Sequence, residues 1–169
     1  MSEQLLPGYL VRPGSSLDRA LLVKFMHRTY QELFQEQDFS HLARTVEQYF
    51  SRETPLWWVE FLGKGAGENI TTPPPLVACV WVGNAVDQAQ GDRHAHIFLL
   101  YVVPEHRRRG IGTALMRYVE AWARVRGDRQ IGLQVFQSNQ PALNLYNQLG
   151  YQTQSVWMVK SLHPERLVD

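Results

Sequence analysis

The chain has one cysteine in 169 residues, Cys79, which excludes an internal disulfide and any thiolate cluster for a metal. Cys79 lies inside the apolar run LVACVWV, where a lone thiol serves as a small buried hydrophobe rather than a nucleophile. No stretch approaches the ~18 consecutive apolar residues of a membrane span, and the opening MSEQLLPGYL lacks the basic start and apolar core of a secretion signal. The expectation is a cytoplasmic protein with no membrane partner, in which the sequon Asn69-Ile70-Thr71 has no glycosylation meaning. An excess of either charge is also missing. Seventeen Lys and Arg against sixteen Asp and Glu leave a formal charge of +1, whereas a nucleic-acid binder usually carries a strongly basic face. There is no internal repeat and no Walker loop of the form Gly-x-x-x-x-Gly-Lys-Ser/Thr.

What is present fits one ordinary globular core: 44% of residues are hydrophobic and 20% charged, and the length suits a single domain over residues 1–169. GYLVRP (8–13) reads as a strand stopped by Pro13. Ser16 or Asp18 then caps a helix with Leu21, Leu22, Phe25, Met26 and Tyr30 at helical spacing. FQEQDFS breaks that pattern, and Ser40 opens a second helix bearing Leu42, Val46, Tyr49 and Phe50. LWWVEFL (56–62) and LVACVWVG (76–83) read as strands flanking GKGAGENITTPPP, a mobile connection by its Gly and Pro content. The nearly unbroken apolar run HAHIFLLYVV (94–103) suits a strand covered on both faces.

Residues Ile111, Ala114, Leu115, Tyr118, Val119, Trp122 and Val125 recur at helical spacing up to Gly127, a helix terminator. IGLQVF (131–136) alternates like a strand. A short helix with Ala142, Leu145, Tyr146 and Leu149 inward follows from Ser138 or Asn139, ended by Gly150, and SVWMVKSL reads as a last strand. Strands in a meander that then alternate with helices predict an α/β fold: a mixed, mostly antiparallel sheet with one parallel crossover between 95–103 and 131–136.

Between strand and helix lies RRRGIGTAL (107–115). A helix beginning at Gly110 leaves backbone N–H groups unpaired, and these together with the helix dipole favour phosphate. Gly110 and Gly112 clear side chains from the backbone, and Arg107, Arg108 and Arg109 offer charge-assisted contacts. By spacing alone the stretch is either a diphosphate site or a solvated basic turn. Leu115 stands where a dinucleotide fingerprint would place its third small residue.

LYVVPEHRRRGIGTAL resembles the acetyl-coenzyme A signature of the GNAT acetyltransferase superfamily, Arg/Gln-x-x-Gly-x-Gly/Ala, with Arg107, Gly110 and Gly112 at the matching places. SNQPALNLYNQLGY is similar to the family's later segment through Asn139, Ala142, Leu145, Tyr146, Gly150 and Tyr151. The resemblance runs from about residue 8 to 160. It implies a GNAT-like sheet whose parallel crossover forms an acetyl-coenzyme A crevice. Arg107, Arg108, Arg109, Gly110, Ile111, Gly112 and Thr113 would then meet the pyrophosphate, Tyr101, Val102 and Val103 would pair with the pantetheine arm, and Asn139 would hold the arm from the other side.

Acetyl transfer from a thioester to an amine needs an uncharged nucleophile, a stabilised oxyanion and a proton for the departing thiolate. The resemblance places Tyr146 as proton donor, against the plain reading of a core aromatic in the 142, 145, 146, 149 stripe. His96 occupies a strand position that carries the base in some members, and an unperturbed imidazole is mostly neutral at cellular pH. Even spacing sets His96 on the same strand face as Val102, and His94 would be a second relay member. Gln134 stands where peptide-acetylating relatives carry a glutamate, and an amide cannot accept that proton. Acetyl-coenzyme A is the expected cosubstrate and no metal is expected. The acceptor is an amine on a small molecule or peptide, with Phe34, Phe39, Trp57, Trp58 and Glu60 as candidate lining residues. A catalytically inactive acetyl-coenzyme A sensor is the alternative to an enzyme. Both a monomer and a homodimer are compatible with the sequence.

Overall fold

The computed structural model describes residues 1–35, 37–63 and 73–163. Its six strands pair in strict chain order. They are β1 (Glu3–Leu6), β2 (Tyr9–Pro13), β3 (Leu56–Phe61), β4 (Leu76–Val86), β5 (Arg93–Val102) and β6 (Ile131–Leu133). All neighbours are antiparallel except β5 and β6, which run parallel through α3 (Ile111–Arg126). β1 falls in a stretch for which the sequence suggested no strand. The Gly- and Pro-rich connection, with its sequon, lies largely outside the described residues.

The two helical layers follow from the alternation of β3. Trp58 is fully buried and meets Phe25 of α1 (Arg19–Leu33) with ring centroids 5.1 Å apart. Its neighbour Trp57 points the other way, against Tyr118 and Trp122 of α3 at 5.6 and 5.4 Å. α1 and α2 (His41–Tyr49) therefore cover one face and α3 the other, as the period-2 geometry of a strand requires. Both aromatics are core, which removes Trp57 and Trp58 from the expected acceptor pocket. The buried stripe of α3 is Ile111, Leu115, Met116, Val119 and Ala123, while Val125, expected inward, is 92% exposed.

One irregularity shapes the rest. Trp81 of β4 pairs with Leu99 and Val82 with Ile97, so Phe98 is an extra residue on β5. Gly83 on β4 accommodates the Phe98 ring, whose Cε2 and Cζ leave no room for a Cβ there. The bulge also corrects the face of His96. His96 pairs with Gly83, Leu99 with Trp81 and Tyr101 with Cys79, so His96 shares its face with Leu99 and Tyr101 and lies opposite Val102. Even spacing holds only in an unbulged strand. The expected last strand is also absent: residues 151–161 carry no regular secondary structure, and SVWMVKSL lies exposed.

Candidate active site

β5 and β6 pair over only three residues, Ala95 with Ile131, His96 with Gly132 and Ile97 with Leu133. β6 then ends while β5 runs on to Val102, so a crevice opens at the carboxyl ends of the two strands. The N–H of Val103 donates to the Val77 carbonyl on β4 at 2.9 Å. Strand alternation then turns the backbone groups of Leu100 and Val102 toward the crevice. Of the trio Tyr101, Val102 and Val103, Val102 is thus the one that presents its backbone there, and Leu100 joins it.

Beyond Val102 the chain tightens through Pro104–His106 into α3. Arg108 is the one non-glycine residue with positive φ among those described, at 65°, and Gly110 follows at 86°. Left-handed residues on either side of Arg109 turn the neighbouring N–H groups toward a concavity suited to an anion. The first α3 bond is Ala114 N–H to Gly110 C=O at 3.0 Å, and no side chain caps the helix. The amides of Ile111, Gly112 and Thr113 therefore have no intrahelical acceptor, which leaves a dipole end open to negative charge.

The two glycines have different causes. Gly110 needs its left-handed backbone, since a Cβ there would meet only Leu6 Cδ1 at an ordinary 4.0 Å. A Cβ at Gly112 would come 3.3 Å from Leu145 Cδ2, so Gly112 lets α4 (Gln140–Gln148) close onto the start of α3.

The arginines are divided. Arg107 donates from Nε to the Val102 carbonyl at 2.9 Å and through Nη2 to both Glu32 oxygens at 2.9 and 2.7 Å, and its guanidinium lies 5.5 Å from the Tyr101 ring centre. The Tyr101 hydroxyl donates to the same Glu32 at 2.9 Å. Burial, with that acceptor, pushes the Tyr101 phenol up to about 12. Arg109 donates to Tyr9 Oη at 3.0 Å, and Tyr9 in turn meets His106 Nδ1 at 2.7 Å. Both guanidiniums brace the turn to the body, while Arg108 enters no hydrogen bond or ion pair among the described residues. Glu32 and Tyr9 carried no signal in the sequence, because their partners lie 75 and 100 residues away.

On the α1 face of β5, His96 and His94 lie over the bare backbone of Gly132. A Cβ at 132 would sit 3.6 Å from His96 Nδ1 and 3.1 Å from His94 Cε1. Burial, and then the neighbouring His94, hold His96 below its ordinary value near 6.5. His94 is buried and its Nδ1 is 2.8 Å from the Ala95 carbonyl, a contact that requires the proton on Nδ1. Asp128 accepts the Ala95 N–H at 2.7 Å and pairs with Arg126, which clamps this end of β5 to the end of α3.

Tyr146, on α4, packs its ring against Tyr151 at 5.7 Å, and burial pushes its phenol up to about 12. Asn139 caps α4, its Oδ1 accepting from Ala142 N–H at 3.3 Å. Of the residues expected around the acceptor, Phe39 is buried against His27 and Tyr30, and Glu60 pairs with Arg12. Phe34 instead meets Phe136, just beyond β6, with ring centroids 5.0 Å apart, and so joins the end of α1 to the end of β6. Among the described residues no group of His, Cys, Asp and Glu could hold a metal, and no helix is long and apolar enough to cross a membrane.

Residues 23–151 match the model of the acetyltransferase (GNAT) family. A streptothricin acetyltransferase of Streptomyces lavendulae is 36% identical over 67 residues, 40% of this chain and 35% of the relative. An N-alpha-acetyltransferase of Sulfurisphaera tokodaii is 38% identical over 60 residues, 35% of this chain and 36% of the relative. The matches thus span about a third of these relatives' length. A solved putative acetyl transferase from Pyrococcus furiosus superposes with a TM-score of 0.69 at 25% identity, over 91% of this chain and 99% of that one. A predicted acetyltransferase from Clostridium acetobutylicum, solved with acetyl-CoA, shares the fold at a TM-score of 0.69 and 18% identity, covering 95% and 99%.

Proposed function

The chain belongs to the GNAT family of acetyltransferases, and on that premise we propose that it works as a single domain moving an acetyl group from acetyl-coenzyme A directly to a primary amine. One observation carries the reading: an uncapped α3 start, with left-handed Arg108 and Gly110 before it, stands at the mouth of the cleft where β5 and β6 part. That cradle suits a diphosphate at one end and an extended arm along a strand edge at the other. When bound, acetyl-coenzyme A supplies an activated acyl group.

The chain's own residues divide the remaining work. Amides from Gly110 to Thr113 hold the pyrophosphate, while Arg107 and Arg109 keep the turn in shape and add positive charge. The backbone of Leu100 and Val102 orients the arm, and Asn139, by starting α4 beside the cleft, sets where Tyr146 sits. The Tyr146 hydroxyl stays protonated across the working pH range because burial disfavours its phenolate. It steadies the departing sulfur first as a hydrogen-bond donor and gives up its proton last. His96, kept neutral by burial, receives the amine's proton, with His94 fixing its surroundings. The acceptor arrives from the α1 side beneath Phe34 and Phe136, as a small-molecule or peptide amine.

The test is thiol release from acetyl-coenzyme A with a panel of small amines, amino acids and peptides, alongside calorimetric titration of coenzyme A. Tight coenzyme binding with turnover on at least one amine is expected. Binding without turnover across the panel would leave only a coenzyme sensor.

A further inference from the structure

Two unsatisfied surfaces occur in the last third of the chain. The first is a sheet edge. β6 closes the strand order on one side, so among the described residues its outer row of N–H and C=O groups has no strand partner. No described residue beyond Ala123 is fully buried, although β6 and α4 carry Ile131, Leu133, Leu145, Tyr146 and Leu149, which are only partly covered. An α4 with an apolar stripe and no buried residue lacks part of its cover.

The second surface is the segment after Tyr151. Tyr151 is tied down, its N–H bonded to the Tyr146 carbonyl at 2.9 Å and its hydroxyl to Glu120 at 3.3 Å. From that anchor residues 152–162 leave the body. Val156, Trp157, Met158 and Val159 are 70, 82, 87 and 83% exposed, and Leu162 is 81% exposed. Their β-branched and aromatic composition is that of a strand covered on both faces. The only side-chain hydrogen bonds described for this stretch are local ones between Ser161 and His163.

We propose that residues 152–162 are the outermost strand of a second copy's sheet, lying on the free outer edge of its β6, with the exchange reciprocated in a homodimer. One chain thus holds both a strand without a sheet and a sheet edge without a strand. A twofold axis satisfies both at once, because each copy gives what the other lacks. A specific interface buries about 1,200 Å² or more in total, and five large apolar side chains from each copy, together with the β6 and α4 surfaces they cover, supply an area of that order. The exchange also bears on the site. β6 carries Gly132 beneath His96 and α4 carries Tyr146, so the partner's strand covers the wall that holds the candidate proton donor.

The test is light scattering on the full chain, paired with hydrogen exchange. A dimer is expected in which alternate amides within 153–160, those facing β6, are protected, with that protection lost on dilution to monomer. Trp157→Asp combined with Met158→Asp should turn the dimer into a monomer that keeps its circular dichroism. Three outcomes each overturn the proposal: unprotected amides in the wild type, a dimer that survives the double variant in folded form, or a monomer with protected amides, which would place the strand on its own β6. Exchange in the wild type decides the matter even where the double variant fails to fold.

Discussion

Gly132 lies directly beneath His96 in the parallel pair, close enough that a single added carbon would stand 3.6 Å from the imidazole Nδ1. The same carbon would press on His94 at 3.1 Å, tighter than ordinary packing. Gly132→Val is therefore expected to displace both rings while leaving the turn at the start of α3 untouched. Misplacing a catalytic group by about 1 Å can cost up to about 10²-fold in rate. The variant should lose about tenfold to 10²-fold in kcat with coenzyme A affinity unchanged. Rates equal to wild type would show that the two histidines have no part in turnover.

For His96 itself the pH profile is the sharper measurement. Its value lies below 6.5, so the acidic limb of kcat/KM should fall below pH 6.5, and His96→Ala should remove it. The linkage sign is the same. Between pH 6.5 and the lowered folded value, the unfolded chain takes up a proton that the folded chain does not. Stability from neutral His96 is then complete above pH 6.5 and is lost as pH falls through the folded value. His106 is lowered too, by burial and Arg109, so the difference in Tm against pH between wild type and His96→Ala isolates the His96 share. An unchanged limb in the variant would assign the base to ordered water or to the incoming amine.

Tyr146→Phe keeps the ring and its packing against Tyr151 while removing the proton. Coenzyme A affinity should persist and the single-turnover rate should drop by about 10²-fold. Because the phenol is held at about 12, no basic limb from Tyr146 should appear in the wild type below about pH 10. A wild-type rate in the phenylalanine variant would reduce Tyr146 to a packing residue.

The two glycines of the turn should separate by readout. Gly110→Val forces a β-branched residue to a φ of 86°, a strain of at least about 1–2 kcal/mol that lowers Tm along with affinity. Gly112→Glu places negative charge at the open α3 dipole and bulk against Leu145, so coenzyme A binding should vanish in calorimetry. Undiminished affinity in a folded Gly112→Glu protein would move the pyrophosphate away from α3.

The Glu32–Arg107 pair is a brace on the surface. Its side chains are about two-fifths exposed, at 40% and 42%, and exposed ion pairs contribute only about 0–1 kcal/mol. Glu32→Gln should therefore change Tm little, while freeing the Arg107 side chain to move. A rise in the KM for acetyl-coenzyme A without change in kcat is the expected kinetic result. An effect confined to kcat would instead place Glu32 among the groups acting on the acceptor.

What the sequence determined by itself is local. The limits of α3 were legible because Gly110 and Gly127, at φ 86° and 94°, bracket a helical apolar period, and a left-handed residue at a helix end is written into the residue type. The parallel crossover followed from strand, helix and strand in succession, and the left-handed turn before α3 from Gly110 itself. What only the tertiary structure decided depends on pairing across long stretches of chain. The bulge at Phe98 reversed the face of His96 because register is set between β4 and β5, not within either. Trp57 and Trp58 proved to be core because each faced a different helical layer, and Arg107 found Glu32 only once α1 had packed on the sheet. SVWMVKSL has the composition of a strand, yet a strand exists only where it is paired, and among the described residues of one copy it is not.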